Sequence, residues 1–180
     1  MKKFLELLDS MYIDYEIQDG AVVVQEQLAI DELGDVEQIS IPENTDFEFG
    51  LICNDSDIEI QLPENLNVGH ILNLKNANVT RLPSNLTIYD DCYVYLDAHK
   101  IKNVSYSENC GGIGRTIFAF WANDDFLIAA GCFAGTYSEF AAAVDKKYGS
   151  HIASEYKQKA RDCISELAEK LGKPDPFKNQ

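Results

Sequence analysis

Cys132 stands in the run Ala130-Gly131-Cys132-Phe133-Ala134-Gly135-Thr136, just ahead of an expected helix start. A thiol in that place gains thiolate character from backbone N–H groups and the helix dipole, the setting of a nucleophile. A nucleophile also needs a base. The three histidines, His70, His99 and His151, have no suggestive spacing to it, so a tight buried turn is the simpler reading and an enzyme using Cys132 the alternative. Gly111-Gly112-Ile113-Gly114, followed by Arg115 and Thr116, has the glycine content of a phosphate cradle. It lacks the Gly-Lys-Ser/Thr ending of a P-loop and precedes a strand where a P-loop precedes a helix. A linker loop is expected, with Gly111–Gly114 as the second form of the enzyme alternative. His70, Cys92 and His99 fall on neighbouring repeat turns, but a metal needs three or four converging ligands, and their register points them apart. Asp90-Asp91 and Asp124-Asp125 sit at expected turns, and turn chemistry explains them without a glycosidase pair or calcium. No catalytic residue, metal or cofactor is expected.

What the chain does display is a charge asymmetry. Residues 4–74 hold 17 Asp and Glu and no Lys or Arg, whereas residues 75–180 hold 13 acids and 13 bases. The net charge of −15 thus comes from the first part of the chain. A one-signed field repels nucleic acid and anionic membrane and attracts cationic surfaces, of which nucleic-acid-binding proteins have the largest. A solvated face that only keeps the protein soluble is the plainer reading. The five cysteines are scattered, with no Cys-x-x-Cys pair, so neither a disulfide framework nor a zinc knuckle is supported. Glu6 and Asp9 interrupt the start before an apolar run forms, so no secretory leader is read there. No stretch approaches the ~20 apolar residues of a membrane span, and the expected compartment is a reducing cytoplasm.

Positioning falls to an internal repeat. Leu62-Pro-Glu-Asn-Leu66-Asn-Val68 recurs as Leu82-Pro-Ser-Asn-Leu86-Thr-Ile88, and a weaker copy starts at Ile41-Pro-Glu-Asn44 with Phe47 in the Val68 place. Between copies, Leu72-x-Leu74 matches Val94-x-Leu96 and Leu51-x-Cys53. Period-two alternation marks strands, and Asn65, Gly69, Asn76 and Pro63 supply corners. A unit of ~20–22 residues with one short strand cannot bury its apolar side alone, so it stacks into a solenoid with capped ends. If Leu72 and Leu74 point in, Ile71, Asn73 and Lys75 point out, with Tyr93, Tyr95 and Asp97 on one side and Gly50, Ile52 and Asn54 on the other. Stacking then puts Ile52, Asn73 and Tyr95 in one row, and Ile71 and Tyr93 in the next. This face either binds a partner or is covered by the C-terminal segment.

Residues 2–11 read as a short helix and residues 15–24 as a hairpin turning at Asp19-Gly20. After Val104 two strands, at 116–121 and 126–130, precede two helices. The first is opened by the capping box Thr136-x-x-Glu139 and ended by Gly149. The second runs over 151–171 with Ile152, Tyr156, Cys163, Ile164, Leu167 and Leu171 inward, and is stopped by Gly172 and Pro174.

The block LPENLNVGHILNLKNANVTRLPSNLTIYDDCYVYLDAHKIKNV resembles the short leucine-rich-repeat-like units of bacteriophage and prophage proteins. There a Leu-Pro-x-x-Leu-x-Val-Gly turn precedes Leu-x-Leu, and Val79-Thr80 stands at the matching Ile-Thr corner. Ala130 to Thr136 resembles the Ala-Gly-Cys-Phe-x-Gly-Thr run of their C-terminal module. The implied fold is α+β: a short leucine-rich-repeat-like parallel β solenoid over 36–104, capped by a helix and hairpin over 1–35 and a ββαα module over 105–180. Such repeats are generic binding scaffolds, and with the acidic first part of the chain the expected function is a non-enzymatic binding protein of phage or mobile-element type in the bacterial cytoplasm. Such a protein would occupy a host protein with a basic surface and inhibit a CRISPR or restriction-type defence, acidic side chains standing where phosphates would sit. The expected contact residues are Ile52, Ile71, Asn73, Tyr93 and Tyr95, with Glu37, Glu43, Asp46, Glu48, Asp55, Asp57, Glu59 and Glu64. Direct nucleic-acid and membrane contact are not expected. A self-associating, homodimeric phage component is the remaining alternative.

Overall fold

The computed structural model describes residues 1–30, 38–54, 58–112 and 114–178. They form an α+β protein of two compact units, Met1–Ile101 and Lys102–Gln180. In the first, helix α1 (Lys2–Ser10) leads into the hairpin β1 (Tyr15–Gln18) and β2 (Ala21–Val24). Short strands then follow one another around a solenoid: β3 (Leu28–Ala29), β4 (Gln38–Ser40), β5 (Thr45–Phe47), β6 (Leu51–Ile52), β7 (Glu59–Gln61), β8 (Asn67–Val68), β9 (Ile71–Leu74), β10 (Thr87–Ile88) and β11 (Tyr93–Leu96).

Each successive strand of a turn belongs to a different face. The first face stacks β2, β5, β8 and β10 in parallel, the second β3, β6, β9 and β11, and the third β4 and β7. The hairpin strand β2 is therefore also a solenoid strand, antiparallel to β1 and parallel to β5. Beyond β7 the third face continues only as the bridge Glu59–Asn78. Pairing follows the sequence repeat: Phe47, Val68 and Ile88 are in register, as are Leu51, Leu72 and Val94. These residues, with Leu74 and Leu96, are buried and fill the interior. The repeat predicts Leu62 in the same buried column, but it is only half-buried. Its counterpart one repeat later, Leu82, is buried.

The corners are built from the same repeat. Asn44, Asn65 and Asn76 adopt left-handed φ of 58°, 56° and 54°, a conformation asparagine tolerates better than most residues. The Asn65 backbone N–H donates to Asn85 Oδ1 at 2.7 Å and the Asn85 amide donates back to Asn65 Oδ1. One position earlier, Glu64 Oε2 accepts from the Ser84 N–H at 3.0 Å and its hydroxyl at 2.8 Å. At the start of the solenoid, Phe4 and Leu8 of α1 are buried and Phe4 meets Phe47 edge-on at 6.4 Å.

The second unit is a four-stranded antiparallel sheet, β12 (Ser105–Cys110), β13 (Arg115–Ala122), β14 (Asp125–Ala130) and β15 (Phe133–Thr136), with helices α2 (Tyr137–Lys147) and α3 (Ser150–Leu171). Two strands, β12 and β15, thus join the expected pair. Thr136 caps α2: its hydroxyl accepts from the Glu139 N–H at 3.4 Å, and Glu139 Oε2 accepts from the Thr136 N–H at 2.8 Å. Helix α2 ends on Tyr148 in extended conformation, and Gly149 serves as the N-cap of α3. Gly172 closes α3 with left-handed φ of 63°. The inward stripe of α3 runs through Ala153, Tyr156, Ala160, Cys163, Ile164 and Leu167. Ile152, expected inward, is exposed: it lies in the first turn of α3 at the edge of that stripe, about 20° of helix beyond Cys163.

Leu74 is 2% exposed, so Leu74→Ala should open a cavity and cost ~2–5 kcal/mol in denaturant unfolding. The Thr136 hydroxyl and N–H hold the Glu139 carboxyl below its usual range. A depressed folded-state pKa contributes stability above the unfolded value, lost as pH falls through the folded one. Glu139→Gln keeps an acceptor without the titration, so it should flatten part of the fall in melting temperature between about pH 5 and pH 3.

Candidate functional site

The second solenoid face is the candidate. Its strands are short because each ends at a corner, and their register sets what points outward. Ala29, Ile52, Asn73 and Tyr95 share one row, and Ile71 and Tyr93 pair in the next. Tyr93 is 46% exposed; Ile52, Ile71, Asn73 and Tyr95 are half-buried. Ile71 lies over Gly50, whose φ is +119° and where an added Cβ would stand 2.5 Å from Ile71 Cγ2. A larger residue at Gly50 would push Ile71 off the face. The Asn73 side-chain oxygen accepts from the Lys75 N–H at 3.2 Å, which fixes its orientation. No residue in these two rows is charged.

The carboxylates instead lie around the section of the solenoid. Glu43 and Glu64 are exposed at the corner ahead of the first face, Asp46 is half-buried on that face, and Glu48 is half-buried where it turns toward the second. Glu59 is exposed on the third face. Glu37, Asp55 and Asp57 lie outside the described residues. Two of the carboxylates are engaged internally. Glu64 holds Ser84, and Asp46 accepts a hydrogen bond from the Tyr89 phenol. Burial, with the Asp46 bond and charge and the Glu48 charge, pushes the Tyr89 phenol up to about 12.

Beside the face, at the same corner, Phe49 and His70 stack at 5.4 Å with nearly parallel rings. Phe49, Tyr89 and Tyr93 are 47%, 41% and 46% exposed. Sequence reasoning weighed His70 only as a base or metal ligand and missed Phe49 and the stacking of the two rings, although a signal was present. They are 21 residues apart, the offset that carries Leu51 onto Leu72.

The other sequence candidates fall elsewhere. Cys92 is buried, its thiol pushed up to about 11 chiefly by burial, while His70 and His99 are exposed. Among the described residues no group of three or more His, Cys, Asp or Glu could hold a metal ion. Gly111 and Gly112 form the β12–β13 turn, and the Gly111 N–H donates to Glu155 Oε1 at 3.1 Å. A carboxylate thus stands where a phosphate cradle would need an anion. That N–H, then Lys159, hold the Glu155 carboxyl below its usual range. Cys132 is exposed, but β15 separates it from α2, so it is not at a helix N-terminus.

Fold and face together define a small α+β solenoid protein with an uncharged strand surface beside a strongly acidic perimeter. No protein-family model, curated protein or solved structure matches the chain. No helix among the described residues is long and apolar enough to cross a membrane.

Because Asp46 helps hold the Tyr89 proton, Asp46→Asn should lower that phenol's pKa part of the way from about 12. Ultraviolet difference titration of the nine tyrosines should show one moving to lower pH, and Tyr89→Phe should remove it from the curve.

Proposed function

We propose that this is a non-enzymatic binding protein, of phage or mobile-element type, that acts in the bacterial cytoplasm by occupying a host protein through the second solenoid face. The observation that carries the reading is the uncharged double row Ile52–Asn73–Tyr95 and Ile71–Tyr93 on a unit that bears 20 acids and 5 bases. Aromatic and aliphatic anchors on a regular surface are what protein interfaces concentrate. Surrounding carboxylates steer the encounter toward cationic patches and raise its rate. Cationic patches of the required size belong to proteins that bind nucleic acid. The concrete form of the proposal is therefore inhibition of a CRISPR or restriction-type defence protein, carboxylates occupying phosphate positions.

Solenoid turns lie ~5 Å apart, whereas duplex charge recurs every ~1.7 Å. One corner row such as Glu43–Glu64 cannot reach that density, so imitation requires several corners acting together. A second copy of the chain is a poorer occupant, since its own perimeter carries the same sign and the two units repel.

The test is capture of host nuclease complexes by the full chain at low and high salt, beside a Tyr93→Ala/Tyr95→Ala variant. The expected result is capture that weakens steeply with salt and drops by about 2 kcal/mol or more in the double variant, with little change in melting temperature. Salt-insensitive capture that survives charge reversal at Glu43, Glu48 and Glu59 would remove the mimicry. Normal binding by the double variant, with loss on changing the exposed surface of α3, would place the interface on the other unit.

A further inference from the structure

The second unit contains a cleft that partner binding leaves unused. It lies beside the β14–β15 turn and the last turns of α2, with a volume of about 320 Å³. Small-molecule sites begin near ~300 Å³, so it suits a body of one or two rings. Phe140, Val144 and Tyr156 are buried and form its floor, while Phe133 is half-buried at its side. The floor is held in place. Tyr156 stacks on Tyr148 at 5.1 Å and donates its hydroxyl to the Cys110 carbonyl at 3.2 Å. Its ring also rests on Gly111, where an added Cβ would stand 2.7 Å from it. A wall already ordered before a ligand arrives lowers the entropic cost of binding.

The rim has one sign of charge. Arg115 and Lys147 line it, and no Asp, Glu or His does. Among the described residues neither cation has a carboxylate partner, whereas Lys157, Lys159 and Lys170 of the same unit each pair with one. Arg115 Nη1 reaches the Tyr148 hydroxyl at 3.4 Å, and Lys147 Nζ lies 5.6 Å from the Tyr148 ring centre. An aromatic floor beneath two cations without acidic partners is complementary to an apolar ring that carries a carboxylate, which a guanidinium can engage through two hydrogen bonds.

We propose that this cleft is a binding site for a small aromatic carboxylate, its ring on Phe140 and Tyr156 and its carboxylate between Arg115 and Lys147. The site belongs to a different unit from the solenoid face and stands or falls independently of it. Cys132 supplies a reporter at the rim, as the other four cysteines are buried.

The experiment uses the full chain with 2-naphthoate and its neutral counterpart 2-naphthamide. Calorimetry should show one naphthoate site, at least about tenfold tighter than the amide. Lys147→Gln, on an exposed side chain and so safe for folding, should reduce that preference several-fold. Arg115→Gln should do the same, and Ala143→Trp, at a lining position, should abolish binding of both probes. Saturating naphthoate should slow alkylation of Cys132 by iodoacetamide, read by mass spectrometry, and the amide at equal concentration should not. Equal affinity for the two probes, no binding of either, unchanged binding in Ala143→Trp, or alkylation indifferent to naphthoate would each overturn the proposal.

Discussion

The structure depends on one constraint: strands of two to four residues cannot pair their backbone groups or bury their apolar side chains alone. Isolated pieces of that length are unstable in water, so each turn completes the one before it. Parallel stacking in strict register aligns Val24, Phe47, Val68 and Ile88 in one buried column. It aligns Leu28, Leu51, Leu72 and Val94 in another. Register is strongly specified because a one-residue slip would turn Ile71, Asn73 and Tyr95 inward and the leucines out. The outward surface is therefore a by-product of the core. The Asn65–Asn85 and Glu64–Ser84 ladders reinforce the same register from the corners.

Charge is divided along the same lines. The solenoid unit carries the whole net charge of −15, while the second unit balances ten acids with ten bases. Carboxylates cannot enter the interior columns without losing hydration, and the second face holds none in its two outward rows. They are left to corners and to the other two faces. The result is a neutral, partly aromatic surface inside a negative field. Asp97, despite the opposing effect of burial, is held below the usual carboxyl range by Lys100 and by the Asn76 N–H.

The second unit uses its special residues differently. Gly111, in the turn after Cys110, leaves Tyr156 room to pack. The Cys132 turn joins two strands. Its neighbour Gly131 adopts φ of 64°, and an added Cβ there would touch only the Arg115 guanidinium, at 3.9 Å. The same turn places Cys132 on the rim of the cleft that Arg115 and Lys147 share.

Much of this was legible in the chain because it is periodic or local. The repeat specified which residues face inward, which rows stack and where left-handed asparagines turn the corners. A four-residue window identified the α2 capping box, and Gly172 marked the end of α3. All of these depend on residues within one turn, or on a spacing that recurs. Tertiary structure alone decided the rest. That β2 doubles as a solenoid strand, that a third face exists, and that Tyr89 reaches Asp46 across 43 positions are contacts no local pattern encodes. Arg115, Cys132 and Lys147 come from a strand, a turn and a helix. Only the packing of α2 and α3 on the sheet brings them to one cleft, because residues far apart in the chain meet where buried surfaces fit, and that fit is a property of the whole core.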